Sequence, residues 1–124
     1  MCSASGTTSI QNLANSPDHV IAVSAASWAD CLVMLQQGEA DAISTTDLVL
    51  LGLQVQDPYT KIVGPRFTFE RHGVGIPETE PDLVRFVNGV LQNLRTDGMW
   101  TQLYAEWFGT YLGPVPAPPP AVYQ

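Results

Sequence analysis

Two short stretches carry side chains whose types and spacing could do chemistry, and both suit holding a small charged molecule. Ser5-Gly6-Thr7-Thr8-Ser9 places a glycine among hydroxyls just ahead of Ile10, Leu13 and Ala14, which follow at helical spacing. Glycine lets the backbone come close to a ligand. A helix start offers unpaired N–H groups with partial positive charge, and the hydroxyls of Thr7 and Thr8 add donors suited to a carboxylate. The plainer alternative is that Ser5 or Thr7 only caps its own helix. No GK[ST] follows, so the turn is not a Walker loop. In the second stretch, Thr45-Thr46-Asp47, the carboxylate is either an acceptor for an ammonium group or a simple N-cap.

Other chemistries lack their residues. His19 and His72 lie far apart, neither has a partner at helical zinc spacing, and no Asp or Glu cluster surrounds them, so neither a metal nor a cofactor is expected. GxSxG does not occur and no Cys-His or Ser-His-Asp order stands out, which argues against an enzyme. Cys2 and Cys31 are too few for a disulfide scaffold, a zinc ribbon or a CxxC redox site; they are free thiols or one bridge. Five basic against twelve acidic residues leave a net charge of -7, the wrong sign for nucleic acid or anionic lipid.

The 124 residues, 45% of them apolar and 14% charged, amount to one folding domain. No run approaches the roughly 18 apolar residues that span a bilayer, and residues 1 to 20 lack the basic start and apolar core of a signal peptide.

The elements that must position the two stretches alternate. Met1-Cys2-Ser3-Ala4 predicts a strand, Ile10 to Ala14 a helix broken at Asn15-Ser16-Pro17-Asp18, and Val20-Ile21-Ala22-Val23 a buried strand. Ser27 with Asp30 resembles a capping box, and Trp28, Cys31, Leu32 and Leu35 carry a helix to Gly38. Ala40 to Ser44 predicts a third strand, and Thr45-Thr46-Asp47 caps a helix over about 48–55. Lys61-Ile62-Val63, Phe67-Thr68-Phe69 and Gly73-Val74-Gly75-Ile76 predict further extended pieces. Strands alternating with helices imply a mostly parallel α/β sheet.

From Pro81 the period becomes helical throughout. Leu83, Val87, Val90, Leu91 and Leu94 form an apolar stripe up to Asp97-Gly98, and Trp100, Leu103, Tyr104 and Trp107 form a second helix ending at Gly109. Five of the ten prolines fall in residues 114–124, predicting a polyproline or disordered tail.

Taken in order, Cys2-Ser3-Ala4-Ser5-Gly6-Thr7-Thr8-Ser9, then Asp30 to Ser44 with Gly38-Glu39-Ala40-Asp41-Ala42-Ile43, then Gly73-Val74-Gly75-Ile76, then Asp97-Gly98-Met99-Trp100 with Glu106-Trp107-Phe108-Gly109, resemble bacterial extracellular solute-binding proteins of family 3. These are polar amino-acid-binding subunits of ABC importers, and the chain looks most like glutamine/glutamate-binding lipoproteins of actinobacteria. The resemblance implies a type II periplasmic-binding-protein-like clamshell outside the cytoplasm that delivers an amino acid to a membrane permease. Residues 1–72 would be its second lobe, 73–112 the hinge return and C-terminal helices, and 113–124 a proline-rich tail. The first lobe would be missing.

The resemblance also assigns ligand contacts to Gly6, Thr7 and Thr8 and to the Thr45-Thr46-Asp47 turn. The family's ammonium-binding aspartate falls at Thr46, one residue before Asp47. It further implies a Cys2–Cys31 disulfide. Without a first lobe, the apolar stripes of the two last helices fold back, pair with a second copy as a homodimer, or stay mobile.

Overall fold

The computed structural model describes residues 1–17, 19–70 and 72–122. The chain separates into two compact units, Met1–Arg71 and His72–Gln124. The first unit contains β1 (Cys2–Ala4), α1 (Thr8–Ala14), β2 (Val23–Ala25), α2 (Trp28–Gln37) and α3 (Asp47–Gln56). The second contains α4 (Pro81–Thr96) and α5 (Met99–Leu112).

β1 is the axis of the first unit. It pairs in parallel with β2, Cys2 opposite Val23 and Ala4 opposite Ala25. On its other side it forms a parallel bridge to Ile43, through Cys2 N–H to Ala42 O at 2.7 Å and Ser44 N–H to Cys2 O at 2.9 Å. A strand flanked on both sides is the natural place for small buried residues, and all three residues of β1 are buried. The Ser3 hydroxyl, fully enclosed, donates to Ser44 O at 2.9 Å and so ties the bridge a second time.

α2 covers this sheet. Ser27 caps it, accepting from Asp30 N–H at 3.1 Å and donating to the Asp30 carboxylate at 2.7 Å. Gly38, at φ 76°, closes it in the left-handed conformation that only glycine adopts freely. The helix delivers Cys31 into a disulfide with Cys2, and this bond sits in the core with Ala40, packed by Ala25, Met34 and Ile43.

Four expectations are corrected. The second strand begins at Val23 rather than Val20, and Ile21 is 82% exposed. Ala40 to Ser44 narrows to a single bridge at Ile43. Lys61–Val63, Phe67–Phe69 and Gly73–Ile76 form no strand, since a strand exists only beside a neighbour, and here Val63, Phe67, Phe69 and Val74 face solvent. The last helix runs past Gly109 to Leu112 and stops at Gly113, whose φ is 79°. The part of the predicted helix break at Asp18, and Tyr123 and Gln124 of the predicted tail, lie outside the described residues. Residues 113–122 carry no helix or strand.

In the second unit Pro81 opens α4, where its missing N–H is harmless. α4 packs against α5, and Tyr104 meets Phe108 edge-on at 5.5 Å between ring centres. No residue of either helix is buried. Phe86 and Trp107 remain about two-thirds exposed.

Candidate functional site

β1 ends at Ala4 and is bridged in parallel to Ile43, one residue before Ser44. The turns that follow therefore leave the same carboxyl edge, where ligands of α/β sheets gather. One turn carries Gly6, Thr7 and Thr8; the other carries Thr45, Thr46 and Asp47.

In the first turn, Ser5 N–H donates to Ala25 O at 2.8 Å and Gly6 turns the chain at φ 72°. Thr7 is the N-cap of α1: its hydroxyl accepts from Ile10 N–H at 3.4 Å and donates to Ala4 O at 2.7 Å. The capping alternative therefore holds for Thr7. Thr8 points elsewhere, donating to a Glu70 carboxylate oxygen at 2.5 Å. Asn12, one turn further along α1, donates to that same oxygen at 3.4 Å.

In the second turn, Thr46 rather than Asp47 is the N-cap of α3, and it makes no side-chain capping bond. Asp47 is the first helical residue. One of its carboxylate oxygens accepts from Leu48 N–H at 3.0 Å, and the other accepts from Arg66 at 2.5 Å in an ion pair open to solvent. Thr45 is half-buried beside it.

Parallel pairing at the bridge puts the two turns at the same end of their strands, and hydrogen bonds there involve three further residues that the sequence did not point to: Asn12, Arg66 and Glu70. Their one signal is that Arg66 and Glu70 bracket Phe67-Thr68-Phe69 with opposite charges. The first unit also holds a cavity whose wall includes Ala42 and Ile43 of the bridge. It encloses about 440 Å³ between α2, α3 and residues 57–63, against Leu32, Leu35, Leu53 and Ile62, and none of the six predicted residues is among its described lining. Among the described residues no group of three or more His, Cys, Asp or Glu could hold a metal ion, and no helix is long and apolar enough to cross a membrane.

Residues 10–110 match the sequence model of the bacterial extracellular solute-binding proteins, family 3. The chain belongs to that family. It is 24% identical over 102 residues to the ABC transporter glutamine-binding protein GlnH of Bacillus subtilis, covering 82% of this chain and 37% of that protein. It is 27% identical over 115 residues to the glutamate-binding protein GluB of Corynebacterium glutamicum, covering 88% of this chain and 39% of that one. A glutamine-binding protein of Geobacillus stearothermophilus is 31% identical over 72 residues, or 58% of this chain and 28% of its own. The chain therefore spans less than two-fifths of the length of these curated relatives.

Proposed function

We propose that this chain forms one wall of the ligand site of an ABC-importer solute-binding protein, holds a polar amino acid such as glutamine or glutamate, and works outside the cytoplasm with a membrane permease. On this reading residues 1–72 are the second lobe of a clamshell, 73–112 the hinge return and terminal helices, and 113–124 the tail. The role is binding without catalysis or cofactor.

The observation that carries it is the shared edge. A turn with a free backbone face at Gly6 and a hydroxyl at Thr8 stands beside a turn with hydroxyls at Thr45 and Thr46 and a carboxylate at Asp47. The first suits the amino acid's carboxylate and the second its ammonium. Hydrogen bonds to charged groups contribute about 1.5 to 3 kcal/mol each, enough for two contacts to select a zwitterion. Asp47 takes the acceptor role because a threonine stands at position 46.

The test is an NMR titration of the labelled chain with a panel of amino acids. Saturable shifts at Thr8 and Asp47 with glutamine or glutamate, weaker with apolar amino acids, are the expected result. A wall without its opposite leaves the ligand wet, so saturation should fall at high micromolar to millimolar concentration. No shift at about ten millimolar ligand would remove the reading.

One observation favours a second reading, a binding-incompetent relative that acts as an interaction module. α4 and α5 bury no residue and present Leu83, Phe86 and Trp107 to solvent, a surface suited to a second copy of the chain. Light scattering that shows a concentration-dependent dimer, lost in Phe86→Glu, together with silence in the titration, would favour it.

A further inference from the structure

The charges that occupy the edge come from one segment of the chain itself. Arg66 holds Asp47 while Glu70 holds Thr8 and Asn12. A cation thus sits on the acceptor proposed for a ligand's ammonium, and an anion sits on the donor proposed for its carboxylate. Four residues of extended chain reach roughly 13 Å, so the two contacts are made from separate points, as the ends of a strap are.

Among the described residues, the apolar side chains between those ends are left exposed rather than packed. Residues 61–69 are exposed throughout and carry no helix or strand. Phe67 is 66% and Phe69 88% exposed, although burial of these two rings would be the strongest available anchor. At its upstream end Gly64 adopts φ 80°, a conformation glycine enters and leaves at little steric cost. Among the described residues, what holds the segment is one ion pair open to water and hydrogen bonds to one carboxylate, contacts that water and other charges compete for.

We propose that residues 64–70 form a displaceable strap that fills the amino-acid site of the unliganded chain. On binding, the ligand's carboxylate replaces Glu70 at Thr8, its ammonium replaces Arg66 at Asp47, and the strap swings out. The proposal rests on the amino-acid-binding reading above. It also supplies a selection rule: a zwitterion releases both ends at once, whereas a simple carboxylate or a simple amine releases only one and leaves the other in the site. The apparent affinity is the intrinsic affinity reduced by the fraction of chains whose strap is open.

The experiment compares the full chain with its Arg66→Gln/Glu70→Gln double variant, which keeps Thr8, Thr46 and Asp47. Each is titrated with L-glutamine by NMR, and the backbone order of residues 66–69 is read from ¹⁵N relaxation. Order should fall at residues 66–69 in the double variant, and fall likewise in the parent chain when glutamine saturates it. The double variant should bind glutamine about fivefold more tightly. Glutamine that leaves these residues as ordered as before or orders them further, or a double variant that binds no better than the parent, overturns the strap while leaving the amino-acid site standing. Silence toward glutamine in both proteins removes the amino-acid site and the strap's role together.

Discussion

Breaking the Cys2–Cys31 bond should unfold the first unit. The bond spans a sequence separation of 29 residues. In the chain-entropy model a loop of that size restricts the unfolded state by about 12 cal/mol/K, or about 3.6 kcal/mol at 25 °C. The packing left to resist is slight. The buried apolar side chains are Cys2, Ala4, Leu13, Cys31, Leu32, Ala40, Leu51 and Leu53, with no buried aromatic ring among the described residues. A core of this size supplies about 3 to 5 kcal/mol, so the crosslink is comparable to the whole stability.

Both sulfurs are fully enclosed, so a reductant reaches them only after opening. The cleaner perturbation is therefore the Cys2→Ala/Cys31→Ala double variant. Urea unfolding followed by far-ultraviolet circular dichroism reads the outcome. With a slope of about 1 kcal/mol/M for so small a unit, the midpoint should drop by about 3 to 4 M, leaving the unit largely unfolded in buffer. A midpoint within about 0.5 M of the parent's would refute the loop-closure reasoning. It would show that packing among Ala25, Met34, Ala40 and Ile43 is sufficient without the crosslink.

Two further substitutions probe how the edge is built. Thr7→Ala removes the cap of α1 and should cost about 1 kcal/mol, with faster amide exchange at Ile10 and its neighbours; unchanged exchange there would show that the cap is idle. Ser3→Ala removes the enclosed hydroxyl that reaches Ser44 O and should cost about 1 to 3 kcal/mol in the same urea assay. A loss confined to a few tenths of that would mean the backbone bridge alone holds the two turns in register.

The local signals in the sequence were the reliable ones. Ser27, the stripe Trp28, Cys31, Leu32 and Leu35, and Gly38 bound α2 at both ends, because capping and helical spacing act over a few residues. α4 was equally legible from Pro81 to Thr96. β1 was legible as well, at Cys2–Ala4, but the strands expected after it were less so. Lys61–Val63 and Phe67–Phe69 have β-forming side chains, yet a strand is made by its neighbour, and neither has one here. At the site, the turns of Gly6 and Asp47 could be read from their own residues, and their common edge follows from parallel pairing at Cys2 and Ile43. Arg66 and Glu70 could not, because a contact across 19 or 62 positions leaves no periodic trace in one sequence.

On the amino-acid-binding reading, a one-residue offset at α3 sets which side chain would meet the ligand's ammonium. At Thr46 the backbone is extended, at φ -65° and ψ 149°, and the next residue is already helical. A side chain at the first position looks back over the open N–H groups, whereas one at the second is carried about 100° around the axis. Asp47 accordingly has one oxygen on Leu48 N–H and only the other turned to a cation. Thr46→Asp moves a carboxylate into the capping position, where it should accept from the open N–H groups of the first turn. It should stabilise the unit by about 1 kcal/mol from capping and helix polarity, despite the neighbouring charge of Asp47, which is exposed enough to be screened. It should also tighten glutamine binding several-fold, because the ammonium then meets two carboxylates. Tighter folding with unchanged or weaker glutamine binding would show that position 46 serves the helix alone, and that the ammonium is held elsewhere.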